Sequence, residues 1–414
     1  MSERRVVITG IGAVTPIGVG IDDFWSGLKA CRSAVRTLTR FDPAPFRCHV
    51  AAEINDFDPV EYLGARRSKR LDRASQFAMA AGRMAIEDAE LTIASEDRDR
   101  IGVMMGTALG GITLAEEQHG KYVEGGLRAV DPGIALTVFA GASSCNLAID
   151  HGVTGPNITN GMSCASGAIG IGEAFRTIQR DEADVMLAGG TEAPLAPLTF
   201  GAFSIIRAMS SRNDDPATAS RPFDHGRDGF VMAEGAAVLV LEERSRALAR
   251  GARVYAEITG FGLSNDAHHM TAPRPDGSQA ARAMRMALRA SHLNPGEIGY
   301  VNAHGSSTPL NDPTETLAIK LVFGDDAVKL KLSGTKGYYG HALGASGAIE
   351  AAICALATTR RWLPPTLNLR TPDPACDLDY LPGQGTPADP EFMLSNSFGF
   401  GGINAALVFR RHEA

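Results

Sequence analysis

The chain has 414 residues, of which 44% are hydrophobic and 21% are charged, and its formal net charge is −7. This length suits two or three domains or one large layered unit of a globular protein. The net acidity disfavours a nucleic-acid-binding protein, and no apolar run approaches the roughly 18 residues of a membrane span. The six cysteines are scattered without a C-x-x-C pair, which indicates neither a zinc site nor a disulfide framework.

The chain starts without a signal-peptide pattern, so we expect a cytoplasmic protein. Its first elements are a buried strand over residues 5–12 and a helix over about 21–30. A cluster with five basic residues in ten follows at 64–73, and a helix runs from about 75 to 89. The cluster is either a solvated helix face or a docking surface for an acidic partner.

The middle of the chain alternates strands with helices, a pattern typical of α/β proteins. A strand at 101–107 ends in a glycine-rich run that lacks the G-x-G-x-x-G spacing, so a dinucleotide site is not indicated. Residues 130–152 predict a buried or subunit-facing helix. Further apolar strands are predicted at 184–190 and 235–241.

Cys164 lies in the most informative stretch of the first half. The stretch reads Asn160-Gly161-Met162-Ser163-Cys164-Ala165-Ser166-Gly167, between a strand predicted at 155–160 and a helix predicted at 165–180. At a helix N-terminus the macrodipole and the unpaired N–H groups favour the thiolate, the nucleophilic form of cysteine. Taken alone, the stretch also allows a buried cysteine that acts as a small hydrophobic residue.

Two short motifs recur in the same order along the chain. Ile8-Thr9-Gly10-Ile11-Gly12 returns as Ile258-Thr259-Gly260-Phe261-Gly262, and Ala165-Ser166-Gly167-Ala168-Ile169 returns unchanged at 345–349. In each half the first motif fits a strand and the second fits the start of a helix. We therefore predict two related α/β halves, residues 1–250 and 251–414, with a site where they meet.

Two histidines of the second half sit in glycine-flanked turns. His304 follows a short apolar strand, and His341 directly precedes the repeated helix, with Lys336 between them. A last strand is broken by Gly399-Phe400-Gly401-Gly402. One cysteine with two histidines forms a nucleophile with an acid/base set. Neither histidine has a second ligand at suitable spacing, so a metal is not expected.

Together these motifs resemble the β-ketoacyl-[acyl carrier protein] synthases, most closely the elongating, type II-like condensing enzymes of fatty-acid synthesis. The resemblance rests on four stretches in a fixed order, namely Cys164-Ala165-Ser166-Gly167, residues 302–309 (Asn-Ala-His-Gly-Ser-Ser-Thr-Pro), Thr335-Lys336 with Gly340-His341, and Gly399-Phe400-Gly401-Gly402. It extends over nearly the whole chain. It implies the thiolase fold, in which two similar halves form a five-layer αβαβα sandwich, and a homodimer.

The resemblance also implies a reaction and a role for each site residue. Cys164 would take an acyl chain from an acyl carrier protein, and a malonyl-loaded carrier would then lose carbon dioxide and condense with that chain. His304 and His341 would stabilise the enolate, and the backbone N–H groups of Cys164 and Phe400 would form the oxyanion hole. The ring of Phe400 would be a gate. The other residues that the resemblance assigns are Lys336 with Glu315 or Glu350 for the histidine network, Leu109 and Phe203 for the acyl pocket, and Arg66, Arg67, Lys69, Arg70, Arg128 and Arg207 for carrier docking.

Smaller differences bear on the subclass. A histidine at position 341 favours elongation of a carrier-bound primer over initiation from coenzyme A, and residues 399–402 lack the second cysteine of degradative thiolases. Departures from the usual family pattern occur at Met162, Ser163, Tyr339, Ile403 and Ala108. These departures leave open a type II polyketide or polyene ketosynthase that works with a chain-length partner lacking the nucleophile. No cofactor is expected.

Overall fold

The computed structural model describes residues 4–412. The helices are α1 (Ile21–Lys29), α2 (Pro59–Leu63), α3 (Ala65–Ser68), α4 (Arg73–Asp88), α5 (Ile112–Gly125), α6 (Ile134–Thr137), α7 (Ala142–His151), α8 (Ser166–Gln179), α9 (Pro197–Ile205), α10 (Arg244–Ala249), α11 (Ser278–Ala290), α12 (Asn311–Phe323), α13 (Lys336–Tyr339) and α14 (Ser346–Arg360). The strands are β1 (Val6–Thr15), β2 (Gly18–Val19), β3 (Arg36–Thr37), β4 (Val50–Ala51), β5 (Ile101–Gly106), β6 (Asn157–Asn160), β7 (Val185–Glu192), β8 (Gly235–Glu243), β9 (Ala256–Asn265), β10 (Ile298–Asn302), β11 (Lys331–Ser333), β12 (Trp362–Leu363), β13 (Thr386–Pro387), β14 (Phe392–Gly399) and β15 (Ile403–Arg411).

The main strands form two groups of five that meet at a narrow junction. They lie in the order β11-β10-β14-β15-β9-β1-β8-β7-β5-β6, and β2 adds a short hairpin to β1. At the junction β1 and β9, which carry the first repeated motif, pair antiparallel over residues 6–8 and 256–258 only. Every strand on the β1 side comes from the first part of the chain, and every strand on the β9 side comes from the second.

Helices α8 and α14 fill the space between the two groups of strands, and both begin within the second repeated motif. They approach closely because Gly167 faces the nitrogen of Ala348 and Gly347 faces the nitrogen of Ala168, where a Cβ would come within 2.8 Å and 2.7 Å. Helices α4 and α7 cover one outer face, and α11 with α12 covers the other. The layers therefore run helix, sheet, helix, sheet, helix, as predicted.

The predicted single helix over residues 130–152 is two helices, α6 and α7. Gly141 stands at the N-cap of α7, and glycine weakens a helix interior enough to favour a break there. Within residues 4–412, no helix combines the length and the apolar character needed to cross a membrane.

Candidate active site

Cys164 lies in a tight turn between β6 and α8. Ser163 adopts a left-handed conformation with φ of +51°, and the amide of Asn160 donates to the carbonyl of Ser166 at 3.0 Å, which closes the turn. Cys164 is the next residue after Ser163, and α8 begins two residues after it. Cys164 is buried, with 7% of its surface exposed. The thiol therefore sits at the N-terminal end of α8, where the sequence places it.

The expectation of a readily formed thiolate is wrong in direction. Burial raises the pKa of the Cys164 thiol above its ordinary value. The hydroxyl of Ser163, the charge of Lys336 and the backbone N–H of Phe400 each lower the pKa of the thiol, but burial outweighs them. Burial therefore favours the thiol over the thiolate at neutral pH.

His304 follows β10 in a turn that Glu315 binds directly and Glu350 supports through Lys336. Glu315 from α12 accepts the backbone N–H groups of His304 and Gly305 at 2.8 and 2.9 Å. Lys336 donates to the carbonyl of His304 at 2.5 Å, lies 3.4 Å from its Nδ1 and forms an ion pair with Glu350. Because an ammonium group can only donate, Nδ1 of His304 accepts and the imidazole proton is on Nε2.

His341 is bound through its main chain to the segment 231–233 by hydrogen bonds of 2.7 and 3.0 Å. Its Nδ1 lies 2.9 Å from the hydroxyl of Ser346. The rings of His304 and His341 are nearly perpendicular, with centroids 5.4 Å apart. Burial and the charge of Lys336 hold the pKa of both imidazoles well below the usual value, so both are neutral at pH 7.

One cavity of about 410 Å³ joins the two halves of the chain. Cys164 from the first half and His304 and His341 from the second half line it, while Lys336 lies fully buried behind His304. Other side chains that line it are Leu109, Phe203, Arg207, Phe230, Phe398 and Phe400. The structure thus brings together the nucleophile, both histidines and the two predicted acyl-pocket residues.

The turn between β14 and β15 lies against the nucleophile. Gly399 packs so tightly that a Cβ there would come within 3.2 Å of the backbone nitrogen of Cys164. The two glycines after Phe400 have φ values of +87° and +77°, which favour glycine. The ring of Phe400 stacks on that of Phe203 with centroids 6.2 Å apart. The turn can therefore aim a backbone N–H at the sulfur while its ring closes one side of the cavity.

Glu192, at the end of β7, is a buried acid that the sequence analysis misses. Its carboxylate accepts the N–H groups of Ala108 (2.6 Å), Leu109 (3.1 Å) and Gly344 (3.0 Å) and the hydroxyl of Thr107 (3.1 Å). Burial raises the pKa of Glu192 to about 7. The carboxylate ties the loop that carries Leu109 to the turn before α14. An acid directly after a Gly-Gly-Thr strand end is the only sequence signal for it.

The departures from the family pattern do not all reach the cavity. Ser163 and Ala108 line it. Tyr339 is fully buried in the core, the side chain of Met162 is 44% exposed, and Ile403 is half-buried; all three lie outside the lining. Of the five departures, only Ser163 and Ala108 therefore contribute to the wall of this cavity.

The predicted docking residues fall into separate places. Arg66, Arg67 and Arg70 line a groove of about 550 Å³, together with two leucines, and an ion pair with Asp150 restrains Arg67. Arg207 lines the active-site cavity. Lys69 and Arg128 are exposed and line neither space. The groove therefore offers basic side chains over an apolar floor.

Family models match most of the chain. Residues 3–247 match the N-terminal domain of beta-ketoacyl synthase, and residues 255–370 match its C-terminal domain. The chain belongs to the beta-ketoacyl synthase family, which confirms the resemblance predicted from the four motifs.

Curated relatives align along their whole length. The chain is 46% identical to 3-oxoacyl-[acyl-carrier-protein] synthase 2 of Synechocystis sp., covering 100% of this chain and 99% of the relative. It is 44% identical to the protein of the same name from Coxiella burnetii, covering 99% of each.

Solved structures agree with the fold. A chain of the ishigamide ketosynthase/chain length factor superposes with a TM-score of 0.94 at 36% identity, covering 100% of both chains. A chain from a type II PKS acyl-carrier protein in complex with its ketosynthase gives 0.92 at 35% identity, also covering 100% of both. The predicted thiolase fold is confirmed.

Proposed function

We propose that this protein is a decarboxylating condensing enzyme that elongates carrier-bound acyl chains in fatty-acid synthesis. The observation that carries the proposal is the single cavity lined by Cys164, His304 and His341. The printed names of the curated relatives, 3-oxoacyl-[acyl-carrier-protein] synthase 2, support the fatty-acid pathway.

In the first step the sulfur of Cys164 attacks the thioester carbonyl of an acyl carrier protein. The new carbon–sulfur bond replaces the old one, and the thiol proton passes to the departing carrier thiolate, so no external base is consumed. Backbone N–H groups of Cys164 and Phe400 stabilise the tetrahedral oxyanion, at about 3 kcal/mol per donor. The acyl chain then lies against Leu109 and Phe203, the apolar side of the cavity.

In the second step a malonyl-loaded carrier enters the same cavity. The bond between the carboxylate carbon and the central carbon of the malonyl group breaks, and carbon dioxide leaves. The electron pair of that bond forms the enolate of the thioester. The Nε2–H groups of His304 and His341 donate to the enolate oxygen. The enolate carbon attacks the acyl group on Cys164, which releases the thiolate and gives the β-ketoacyl carrier protein. Lys336, held by Glu350, and the turn held by Glu315 keep His304 in place.

An acyl carrier protein is the proposed partner. Carrier proteins are acidic, and the groove lined by Arg66, Arg67 and Arg70 complements such a surface although the whole chain carries a net charge of −7. Lys69, Arg128 and Arg207 add exposed positive charge, and Arg207 reaches the cavity itself.

Reversing charge in the groove should weaken carrier binding. We expect R66E/R70E to raise the KM for acyl carrier protein by about 10- to 100-fold with little change in kcat, because each rim charge acts mainly on association. The matched control is R282E/R289E, which makes the same charge change on α11 in the opposite outer layer. Raising the ionic strength should shrink the difference between groove variant and wild type. Equal KM effects from both double variants would refute a docking role for the groove.

The proposed assembly is a homodimer. β6 is an edge strand that pairs only with β5 among the described strands, and Ile158 on it is 54% exposed. Exposed apolar side chains also occur on α5, α6, α7 and the segments between them, namely Tyr122, Val123, Leu127, Leu136, Phe139 and Ile149, and α7 packs against β6. The alternative is a polyketide or polyene ketosynthase in a heterodimer, which the ishigamide ketosynthase/chain length factor neighbour supports.

A single assay separates these functions. We expect the chain purified alone to sediment as a dimer and to form β-ketoacyl carrier protein from malonyl carrier protein and saturated acyl carrier proteins of several lengths. Activity that appears only after a second, homologous polypeptide is added would favour the heterodimeric alternative. Failure to form any β-ketoacyl product with either arrangement would overturn the proposed function.

We also propose that residues 1–250 and 251–414 are the two structural halves, and that the protein works in the cytoplasm. The short pairing between β1 and β9 and the limits of the two family models support the division. The six free cysteines suit a reducing compartment.

A further inference from the structure

Among residues 4–412, the hydroxyl of Ser346 makes the one side-chain hydrogen bond to Nδ1 of His341. The hydroxyl lies 2.9 Å from that nitrogen, Ser346 is fully buried, and His341 is 3% exposed. Within residues 4–412 the hydroxyl of Ser346 has no other hydrogen-bond partner. Water cannot replace this contact without a rearrangement, so the hydroxyl and the imidazole depend on each other.

The repeated motif shows that this contact is not a general feature of the helix start. Ser166 occupies the matching position in the first half, and its hydroxyl donates to the carbonyls of Ser163 at 2.7 Å and Thr107 at 3.2 Å. Ser166 thus serves the main chain around the nucleophile. In the second half, the hydroxyl of Ser346 instead contacts the side chain of His341, which lines the cavity.

The surroundings determine which way the hydrogen bond runs. Nδ1 of His341 contacts the first residue of α14, a 15-residue helix whose N-terminus carries unpaired N–H groups and the positive end of the macrodipole. That potential favours a lone pair on the facing nitrogen and disfavours an N–H there. The hydroxyl of Ser346 therefore donates, and Nδ1 accepts. Nε2 keeps the proton, as it does in His304, whose Nδ1 faces the ammonium of Lys336.

We propose that Ser346 is a positioning residue for His341: its hydroxyl fixes the Nε2–H tautomer, so that His341 presents a donor to the thioester oxygen of the malonyl substrate. This inference rests on the proposed function for the identity of the substrate. Lys336 and Ser346 then have the same role: each donates to Nδ1 of one histidine, Lys336 to His304 and Ser346 to His341. Neither step of the reaction needs Ser346 to touch the substrate.

The test is Ser346→Ala, which removes one oxygen and no packing carbon. With ¹⁵N-labelled histidine, and with His341→Asn to assign the signal, we expect wild type to show only the Nε2–H tautomer of His341 and S346A to gain the Nδ1–H form. Malonyl carrier decarboxylation should fall about five- to tenfold, the effect of one hydrogen bond. Acylation of Cys164 from acyl carrier protein should stay within about twofold.

Ser278→Ala is the matched control, because Ser278 also opens a helix, α11, and does not line the cavity. It should change neither the tautomer nor either half-reaction. The proposal is overturned if S346A keeps the Nε2–H tautomer alone, or if it slows acylation and decarboxylation equally. If wild type forms no acyl-Cys164 at all, the proposed function fails, while the NMR comparison still decides the role of Ser346.

Discussion

Replacing Cys164 with alanine should abolish condensation while sparing decarboxylation. We expect the rate of β-ketoacyl product formation to fall on the order of 10⁶-fold, the loss typical of removing a nucleophile. Decarboxylation of malonyl carrier protein should persist within about tenfold, because His304, His341 and Lys336 remain in place. Product analysis by mass spectrometry, with carbon dioxide release measured in parallel, separates the two rates.

Acyl transfer gives a second readout of the same prediction. Among the six cysteines, all within the described residues, Cys164 alone lines the cavity. Intact-mass and peptide analysis should therefore find one acyl group per chain, on Cys164. Cys145, which is only half-buried, supplies the control variant C145A, and it should keep full activity. An acyl adduct on Cys145, or retained condensation in C164A, would contradict the assignment of the nucleophile.

Lys336→Met should damage both stability and catalysis, for different reasons. The substitution leaves Glu350 as an unpaired buried acid, and breaking a buried ion pair costs about 3–5 kcal/mol in free energy of unfolding. It also removes the donor to Nδ1 of His304, so decarboxylation should fall by about 100-fold through misplacement of the ring. Urea unfolding and the decarboxylation rate measure the two effects.

The double variant K336M/E350M separates these causes. Apolar side chains of similar volume in place of a buried pair are often neutral for stability, so unfolding should return close to wild type. Activity should stay as low as in K336M, because His304 still lacks its donor. If activity recovered together with stability, the role of Lys336 would be confined to the fold.

The stability of the single variant K336M should depend on pH, and the sign of that dependence follows from Glu350. In the wild type, burial already raises the pKa of Glu350 to about 7, although Lys336 lowers it. Removing the lysine raises the pKa of Glu350 further, and an acid with a raised pKa binds its proton more tightly in the folded state than in the unfolded one. Because the wild-type carboxyl already titrates near 7, the stability deficit of K336M relative to wild type should be smallest in acid and should grow mainly as the pH rises above 7.

Much of the site was predictable because glycine-rich turns at strand ends mark it. His304 follows the apolar strand β10, Phe400 lies in the turn between β14 and β15, and the repeated motif places Cys164 and His341 before equivalent helices. The alternation of strands and helices also predicted α/β layering, whereas the five-layer arrangement followed from the family resemblance. These signals are local in sequence, so they can be read without knowledge of tertiary contacts.

The remaining features depend on packing between distant segments. Glu192 binds Leu109 and Gly344, which lie 83 and 152 residues away. The direction of the shift in the pKa of the Cys164 thiol depends on how completely the surrounding residues exclude water, and composition does not reveal that. Tyr339, an unusual residue beside a catalytic turn in sequence, points into the core. Tyr339 is close to His341 in sequence, but its side chain does not line the cavity.

Gly167 and Gly347 couple the positions of the two central helices. Each glycine faces the main chain of the other copy of the repeated motif, so a side chain at either one would displace both central helices together. Those helices start beside the nucleophile and beside His341. Neither glycine can therefore be replaced by a larger residue without moving the N-terminal ends of both helices, and with them Cys164 and His341.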